Sequence, residues 1–301
     1  MRQARIKIDT EPCWYHCYNR VAGTKHDRPF GDVEKEQFVR ILKRICKLYS
    51  IQVVSYQVLS NHFHLLAYAP EVEPDAEQMC RRYSHFHNGK RTLEPDSPAC
   101  RAWQARSRDI SWFMRHLQQL FTAWYNRTRP VRRRGSLWAD RFKHTLLESG
   151  AAVWACWTYI ENNAVRAHMV ERAGDYRFGS HGAWLQAGRH PFAAHVKAVA
   201  LPMLRDLFGL QDLPQIRAAM EKALAGKSAR ETPETGVATS IQRRVRYWTQ
   251  GLVIGSRLFV TDVMRRHKPE DAVTRHRSAR LEVPDGYKLY AWRRPRPAGT
   301  G

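Results

Sequence analysis

Two histidines that flank a single phenylalanine, His62-Phe63-His64, form the first candidate chemical site of the sequence. They lie in an apolar segment, 51–69, that is rich in Val, Tyr and Leu and is typical of a β-strand. The period of two along a strand places both imidazoles on one face, where they could act as a pair of metal ligands. An isolated His-x-His pattern is equally typical of half-buried strand residues, so the motif alone leaves both interpretations open.

A tyrosine and an asparagine four residues apart form the second candidate pair. The pattern predicts a helix from Gly150 to about Asn163, and the spacing places Tyr159 and Asn163 on the same face, one turn apart. Tyrosines on amphipathic helices usually lie at the edge of the core, so the helix alone favours a structural explanation for this pair.

A second His-x-His pattern, His85-Phe86-His87, tests the first one. It lies among arginines and small polar residues, with no apolar run that would form a buried strand. A metal site needs a rigid support, so this copy is predicted not to bind metal.

The elements that must position these residues follow an α+β order. Alternation predicts strands at 13–21, 51–60 and 142–148, with the first histidine pair on a further strand, or a bent continuation, after Ser60-Asn61. Helical spacing predicts helices from about Asp32 and from Asp109 to a point before Pro130. The order strand, helix, strand, strand predicts a ferredoxin-like antiparallel sheet with helices, and 70–107 is predicted to be an excursion with one short helix.

Composition bounds the partners. Lys and Arg number 50 against 28 Asp and Glu, a net charge of +22, which predicts a polyanionic partner. No apolar run is long enough to span a membrane, so nucleic acid is favoured over a membrane surface. The six cysteines include no Cys-x-x-Cys pair, which predicts a reducing cytoplasm without a disulfide or zinc-finger scaffold.

A basic segment with interleaved aromatic residues, 129–143, is the best candidate for contact with nucleic acid. Its cations suit phosphate oxygens, and its aromatic rings suit base stacking. The alternative is an ordinary solvated basic loop. The predicted contact residues are Arg129, Arg132, Arg133, Arg134, Trp138, Arg141 and Lys143.

The C-terminal region, 187–301, is predicted to be basic and mainly helical. Two helices are expected within 201–223, followed by a linker to residue 240 and a helix over 241–248. A turn over 251–256 then leads into a helix capped by Ser256. From 241 to 301 there are 14 Lys and Arg against 5 Asp and Glu, which is compatible with a DNA-binding helix-turn-helix; a plain helical hairpin explains the pattern slightly better.

Three segments, taken together and in this order, resemble the REP-associated branch of the single-tyrosine HUH transposases. They are His62–Leu66, Tyr125–Lys143 and Tyr159–Ala167, and a closing segment, Asp175–His181, resembles the family's Asp-Tyr-Pro-x-Ser-Ser. The resemblance covers roughly 13–184 and implies a transposase domain over 1–186 with the HUH fold, followed by a C-terminal helical extension. Ala164 and His168 stand where the family usually has proline and glycine. Without that proline, the end of the helix is free to continue differently.

The resemblance also implies an activity and a site. Tyr159 is the implied nucleophile, and His62, His64 and Asn163 are the implied ligands of Mg²⁺ or Mn²⁺. The implied reaction is cleavage and rejoining of single-stranded DNA near hairpin (REP-like) elements through a 5′-phosphotyrosine intermediate, as a DNA strand-transferase or endonuclease. Tyrosine suits this chemistry because a phenol, with an ordinary pKa near 10, is a better leaving group than an alkyl alcohol.

Partners and location follow from the same resemblance. Family members are usually homodimers that act on hairpin DNA, in the bacterial cytoplasm and on the nucleoid when bound. The N-terminal cations Arg2, Arg5 and Lys7 join the basic segment as candidate DNA contacts. The alternative function is a non-catalytic DNA-binding protein, a domesticated transposase that kept the scaffold and lost turnover.

Overall fold

The computed structural model describes residues 6–8, 11–24, 26–130, 135–225, 248, 251–267, 279–282 and 288–293. Six elements form the part of the fold that contains the histidine pair and its support. They are β1 (Cys13–Arg20), α1 (Asp32–Ile45), β2 (Gln52–Val58), β3 (His62–Ala69), α4 (Ile110–Arg127) and β4 (Lys143–Leu147), with α2 (Ala76–Phe86) and α3 (Pro98–Ser107) between β3 and α4.

The first four strands form an antiparallel sheet in the order β2-β3-β1-β4. With α1 after β1 and α4 before β4, the chain follows the β-α-β-β-α-β order of a ferredoxin-like fold. The predicted α+β class and ferredoxin-like sheet are therefore confirmed. Residues 60–61 separate two strands, so the histidine pair lies on a further strand, and the alternative of one bent strand through Ser60-Asn61 is wrong.

Each face of the sheet packs against its own layer of helices. On one face Tyr15, Phe63 and Leu65 pack with α1 and α4, where Phe38 and Phe121 are fully buried. On the other face Trp14 and Leu66 pack with α5 (Ala151–Glu161). Because side chains alternate along a strand, this arrangement directs His16, His62 and His64 to the α5 side.

The excursion over 70–107 contains two helices, α2 and α3, where one short helix was predicted. Their N-caps are Asp75 and Ser97, whose side chains each accept a backbone hydrogen bond from the first turn. His85 is exposed near the end of α2, and His87 follows as its C-cap. The second His-x-His pattern is thus helical, and a period of 3.6 does not align its two rings as a strand does.

The chain after β4 continues with helices on the α5 side of the sheet. In order these are α5, α6 (Asn163–Arg166), α7 (Ser180–Ala187), α8 (Ala193–His195), a π-helical turn (Val196–Ala200), α9 (Leu201–Phe208) and α10 (Leu213–Leu224). The two helices predicted within 201–223 are confirmed as α9 and α10, which meet at Gly209, a residue with φ of 71°.

The C-terminal region also contributes strands, which corrects the prediction of a turn at 251–256. Residues Gly251–Gly255 form β5, which pairs in parallel with β4, and β6 (Ala279–Glu282) and β7 (Lys288–Arg293) extend the sheet in the order β5-β7-β6. The run Leu252-Val253-Ile254 is buried on both faces, a pattern that periodicity alone does not distinguish from a buried turn or helix. Both a helix-turn-helix and a plain helical hairpin need a turn at 251–256. Because a strand occupies 251–255, neither of these predicted arrangements fits.

The predicted helix capped by Ser256 is confirmed as α11 (Arg257–His267). The Ser256 hydroxyl accepts from the backbone N–H of Phe259, and both polar groups of Ser256 donate to the Glu148 carboxylate at the end of β4. The helix predicted over 241–248 and the linker predicted over 225–240 lie outside the described residues apart from Trp248 and Ala225. None of the described helices is long and apolar enough to cross a membrane.

Substituting Ser256→Ala should lower the free energy of unfolding by about 1 kcal/mol, because the first turn of α11 loses its capping acceptor. Urea unfolding of the full chain measures the change. Thr261→Ala, which removes a hydroxyl from the middle of the same helix, is the control and should stay within about 0.5 kcal/mol of the unsubstituted protein. An equal loss in both variants would mean that Ser256 does not cap α11.

Candidate active site

Three histidines from two neighbouring strands meet on the α5 side of the sheet. His62 and His64 lie on β3, as predicted, and His16 lies on β1. The rings of His16 and His64 are nearly parallel, with centres 5.1 Å apart, and Nε2 of His16 lies 2.9 Å from Nδ1 of His64. The His62 ring is edge-on to His64 at 5.2 Å. The two predicted ligands therefore share a face, and a third imidazole touches one of them.

The Tyr159 ring lies against this cluster from α5. Its centre is 5.7 Å from His64 and 5.8 Å from His16, both edge-on. The indole of Trp248 stacks on the same ring, with centres 5.2 Å apart and an angle of 22° between the planes. The phenol oxygen is buried in this arrangement. A phosphodiester therefore reaches that oxygen only after the site rearranges.

Burial sets the protonation of these groups. It lowers the pKa of His16 and of His62 to about 4, and that of His64 well below its ordinary value. All three imidazoles are consequently neutral at pH 7. Burial raises the pKa of Tyr159, while the Arg166 guanidinium, 5.2 Å from the ring centre, lowers it.

Asn163 is attached to the same helix end but uses one side of its carboxamide there. Its Nδ2 donates to the backbone carbonyls of Tyr159, at 3.0 Å, and Ile160, at 3.3 Å. The bond to Tyr159 is the one-turn relation that the spacing predicted. The helix continues past Asn162 into α6 without the proline stop, as the departure at Ala164 allowed. Both of these hydrogen bonds use Nδ2, and neither uses the carboxamide oxygen of Asn163.

A buried carboxylate fixes the end of α5 that carries Tyr159. Glu161 accepts hydrogen bonds from the hydroxyls of Ser55 and Ser180 and from the backbone N–H of His181. Gln57 on β2 donates to the Glu161 carbonyl at 3.0 Å. The closing segment 175–181 thus ties α5 to the sheet, which gives that motif a positioning role.

The residues around the histidine pair fit a divalent cation in their chemistry. His62 holds its Nδ1 2.7 Å from Oδ1 of Asn61, which leaves Nε2 as the ligating atom. Neutral imidazoles and a carboxamide oxygen are all metal ligands that need no deprotonation. Within the described part of the chain, no group of three or more His, Cys, Asp or Glu is placed to hold a metal. A cation here would therefore need Asn163, water or a phosphate oxygen as well.

The cations predicted to contact DNA differ in exposure and in whether they already form ion pairs. Arg141 is exposed, and Lys143 begins β4 in a half-buried position. Arg129 pairs with Glu34 and Lys7 with Asp109, so both cations already have partners. Residues Arg2, Arg5, Arg132, Arg133 and Arg134 lie outside the described residues.

Trp138 takes a different place from the one predicted. Its indole is buried and edge-on to Phe63 at 5.4 Å, and its N–H donates to the Thr122 hydroxyl at 3.0 Å. This packing explains the aromatic residue in the basic segment without base stacking, because the loop needs an apolar anchor on the core. Phe142 is likewise buried.

Sequence reasoning missed three members of the site. Arg166 follows Tyr159 by seven residues, two helical turns, and that spacing was a usable signal. His16 alternates with core residues on a predicted strand, but its approach to His64 depends on a strand pairing that the sequence does not state. Trp248 approaches from 89 residues further along the chain than Tyr159, and no local pattern indicates this contact.

Comparison with family models finds no match for the chain, and comparison with curated proteins finds none either. Among solved structures, that of a REP-associated tyrosine transposase bound to a REP hairpin is similar over 64% of this chain and 89% of that chain, with 15% sequence identity and a TM-score of 0.41. A likeness at this level carries no argument about function, which rests on the site itself.

Lowering the pH should destabilise the protein through its buried neutral histidines. Their pKa values are depressed in the folded chain, so the unfolded chain binds more protons, and stability is lost as the pH falls from about 6.5 toward 4. His16 alone should account for about 2 kcal/mol between pH 7.5 and pH 5. Unfolding free energies at both pH values should therefore differ less in His16→Phe than in the unsubstituted protein. His85→Phe, at an exposed position, is the control and should keep the original pH dependence; an unchanged slope in His16→Phe would contradict the assignment.

Proposed function

We propose that the protein is a single-stranded DNA transposase or nickase that cleaves and rejoins DNA at hairpin-forming elements, with Tyr159 as the nucleophile. The observation that carries the proposal is the contact of Tyr159 with His64, whose ring centre lies 5.7 Å from that of the phenol and 5.2 Å from that of His62. The three elements that supply the cluster, β1, β3 and α5, are far apart in sequence. A protein that only bound DNA would gain nothing from this convergence.

The covalent step balances without an energy cofactor. The Tyr159 oxygen bonds to phosphorus while the bond from phosphorus to the 3′ oxygen breaks, and the proton lost by the phenol is regained by the departing 3′ oxygen. The products are a 5′-phosphotyrosine and a free 3′-OH. Attack of a 3′-OH on the phosphotyrosine reverses the step and joins strands.

The residues of this chain have separable roles in that step. Arg166 places a positive charge beside the phenol, which favours its ionised form, and Glu161 keeps the end of α5 on the sheet. His62, His64 and Asn163 would hold the divalent cation. When bound, such a cation polarises the scissile phosphate and neutralises developing charge. Two imidazole ligands suit Mn²⁺ better than Mg²⁺, which prefers oxygen ligands.

A groove on the opposite side of the sheet is the best candidate for holding the rest of the DNA. It lies between α4 and the loop before β4 and has a volume of about 810 Å³. Arg115 and Arg141 line it, together with Trp112, a residue that is 38% exposed and has the guanidinium of Arg115 5.1 Å from its ring centre. Cations beside an exposed indole suit phosphate contact and base stacking.

The second candidate function is a non-catalytic hairpin-binding protein. The buried phenol oxygen of Tyr159 is the observation that favours it, because a phosphodiester cannot reach a buried oxygen. Trapping of a covalent complex separates the two functions.

The full chain should form a covalent adduct with labelled single-stranded hairpin DNA carrying randomised flanks in the presence of Mn²⁺. Tyr159→Phe should abolish the adduct on a denaturing gel, because no oxygen remains to attack phosphorus. Tyr83→Phe, on α2 away from the cluster, is the matched control and should retain it. An adduct that survives in Tyr159→Phe would refute the nucleophile; no adduct with any flank or metal would favour the binder.

The two His-x-His patterns should respond differently to substitution. His62→Ala should lower Mn²⁺-dependent adduct formation by more than about 100-fold, the upper end for losing a residue that only supports a metal ligand. His85→Ala should leave the rate unchanged, because His85 is exposed on α2. Rates from a time course of gel-resolved adduct make the comparison, and equal losses in the two variants would argue against His62 as a ligand.

A further inference from the structure

His16 is a residue of β1 that is not among the proposed metal ligands. It links His64 to the C-terminal region. Its Nδ1 lies 2.9 Å from the backbone carbonyl oxygen of Trp248, and its Nε2 lies 2.9 Å from Nδ1 of His64. His16 is completely buried, so water does not compete for either bond. Three groups therefore form a continuous chain: carbonyl, imidazole, imidazole.

The direction of both hydrogen bonds follows from the carbonyl. A carbonyl oxygen only accepts, so Nδ1 of His16 must carry its proton. Both nitrogens of the fully buried His16 ring face neutral groups, a carbonyl and an imidazole, and a buried charge without a paired anion is costly. The ring is therefore neutral, and the lone pair of its Nε2 accepts from Nδ1 of His64. The remaining nitrogen of His64, Nε2, is then left with its lone pair.

His62 reaches the same tautomer by a separate route. Its Nδ1 lies 2.7 Å from the side-chain oxygen Oδ1 of Asn61, which also only accepts. Nε2 of His62 consequently has the lone pair. Both strand histidines thus present the same nitrogen in its ligating form, although their supporting groups come from different parts of the chain.

We propose that His16 is a positioning residue that holds His64 as the Nδ1–H tautomer, with the Trp248 carbonyl as the anchor of the chain of hydrogen bonds. The inference rests on the proposed function, because the Nε2 lone pair of His64 serves a divalent cation there. A hydrogen-bonded supporting group of this kind fixes both the tautomer and the orientation of a ligating imidazole.

Two substitutions of His16 separate positioning from packing. His16→Phe keeps an aromatic ring against His64 and Tyr159 but offers no acceptor, whereas His16→Gln keeps an acceptor oxygen on a side chain of similar reach. His144→Phe is the matched control. His144 is a buried strand histidine whose Nε2 donates to the Ile6 carbonyl at 2.7 Å, and its ring contacts Tyr15 and Phe142 on the α1 and α4 side.

The tautomer can be read without metal or DNA. Long-range ¹H–¹⁵N spectra of the full chain labelled with [¹⁵N]histidine distinguish Nδ1–H from Nε2–H for each ring, and loss of one signal set in His64→Ala assigns His64. We expect His64 as Nδ1–H in the unsubstituted protein, His16→Gln and His144→Phe, and a shift toward Nε2–H in His16→Phe. An Nε2–H form of His64 in the unsubstituted protein, or no change in His16→Phe, would overturn the proposal.

Binding of Mn²⁺, followed by loss of the free-ion electron paramagnetic resonance signal, gives the second readout. His16→Phe should weaken binding 10- to 100-fold, the range for loss of a supporting group, while His144→Phe should leave it unchanged. Equal Mn²⁺ affinity in His16→Phe and in the unsubstituted protein would overturn the proposed role of His16 in supporting metal binding. Absence of a DNA adduct in the unsubstituted protein bears only on the proposed function, since neither readout here depends on DNA.

Discussion

The antiparallel pairing of β1 with β3 is the constraint on which the site depends. In this pairing Tyr18 lies opposite His64, and His16 lies opposite Leu66, so that His16 and His64 are diagonal neighbours on one face. A slip of one residue would turn His16 into the opposite core and direct Tyr15 toward α5. Tyr15 and Phe63 resist that slip because both are fully buried among aromatic residues on the α4 side. The apolar packing on one face of the sheet therefore fixes the position of the histidines on the other face.

The helix that carries Tyr159 is held by a different kind of force. Its end is fixed by hydrogen bonds to one buried carboxylate, Glu161, which accepts from two hydroxyls and a backbone N–H. Such bonds are directional, and a buried charge that lost its partners would cost several kcal/mol, so the arrangement tolerates little displacement. Apolar packing alone would leave α5 freer to slide along the sheet. The combination places the phenol at a defined distance from the imidazoles.

Local patterns were sufficient for the sheet and for part of the site. Alternation and helical spacing predicted β1, α1 and α4 closely, and the motif on β3 has the predicted face. The residues that the sequence did not indicate, His16 and Trp248, are those whose contacts join segments far apart in the chain, 48 residues and more. Strand β5 was not predicted for a related reason, because a fully buried parallel strand has no alternation of apolar and polar residues. Trp138 shows the converse, since an aromatic residue among arginines predicted a surface role and the structure gives it an apolar one.

The C-terminal region is joined to the site by physical contact as well as by sequence continuity. Strand β5 pairs with β4, and Trp248, three residues before β5, contributes both its ring to Tyr159 and its carbonyl to His16. A carbonyl is a suitable anchor for a neutral imidazole chain. A carboxylate in that place would favour a charged His16 imidazolium, whose protonated Nε2 could no longer accept from Nδ1 of His64. In a chain of net charge +22, with Arg166 also beside the phenol, a neutral chain of hydrogen bonds adds no further positive charge next to the metal face. Any rearrangement that moves Trp248 therefore acts on Tyr159 and, through His16, on His64 together.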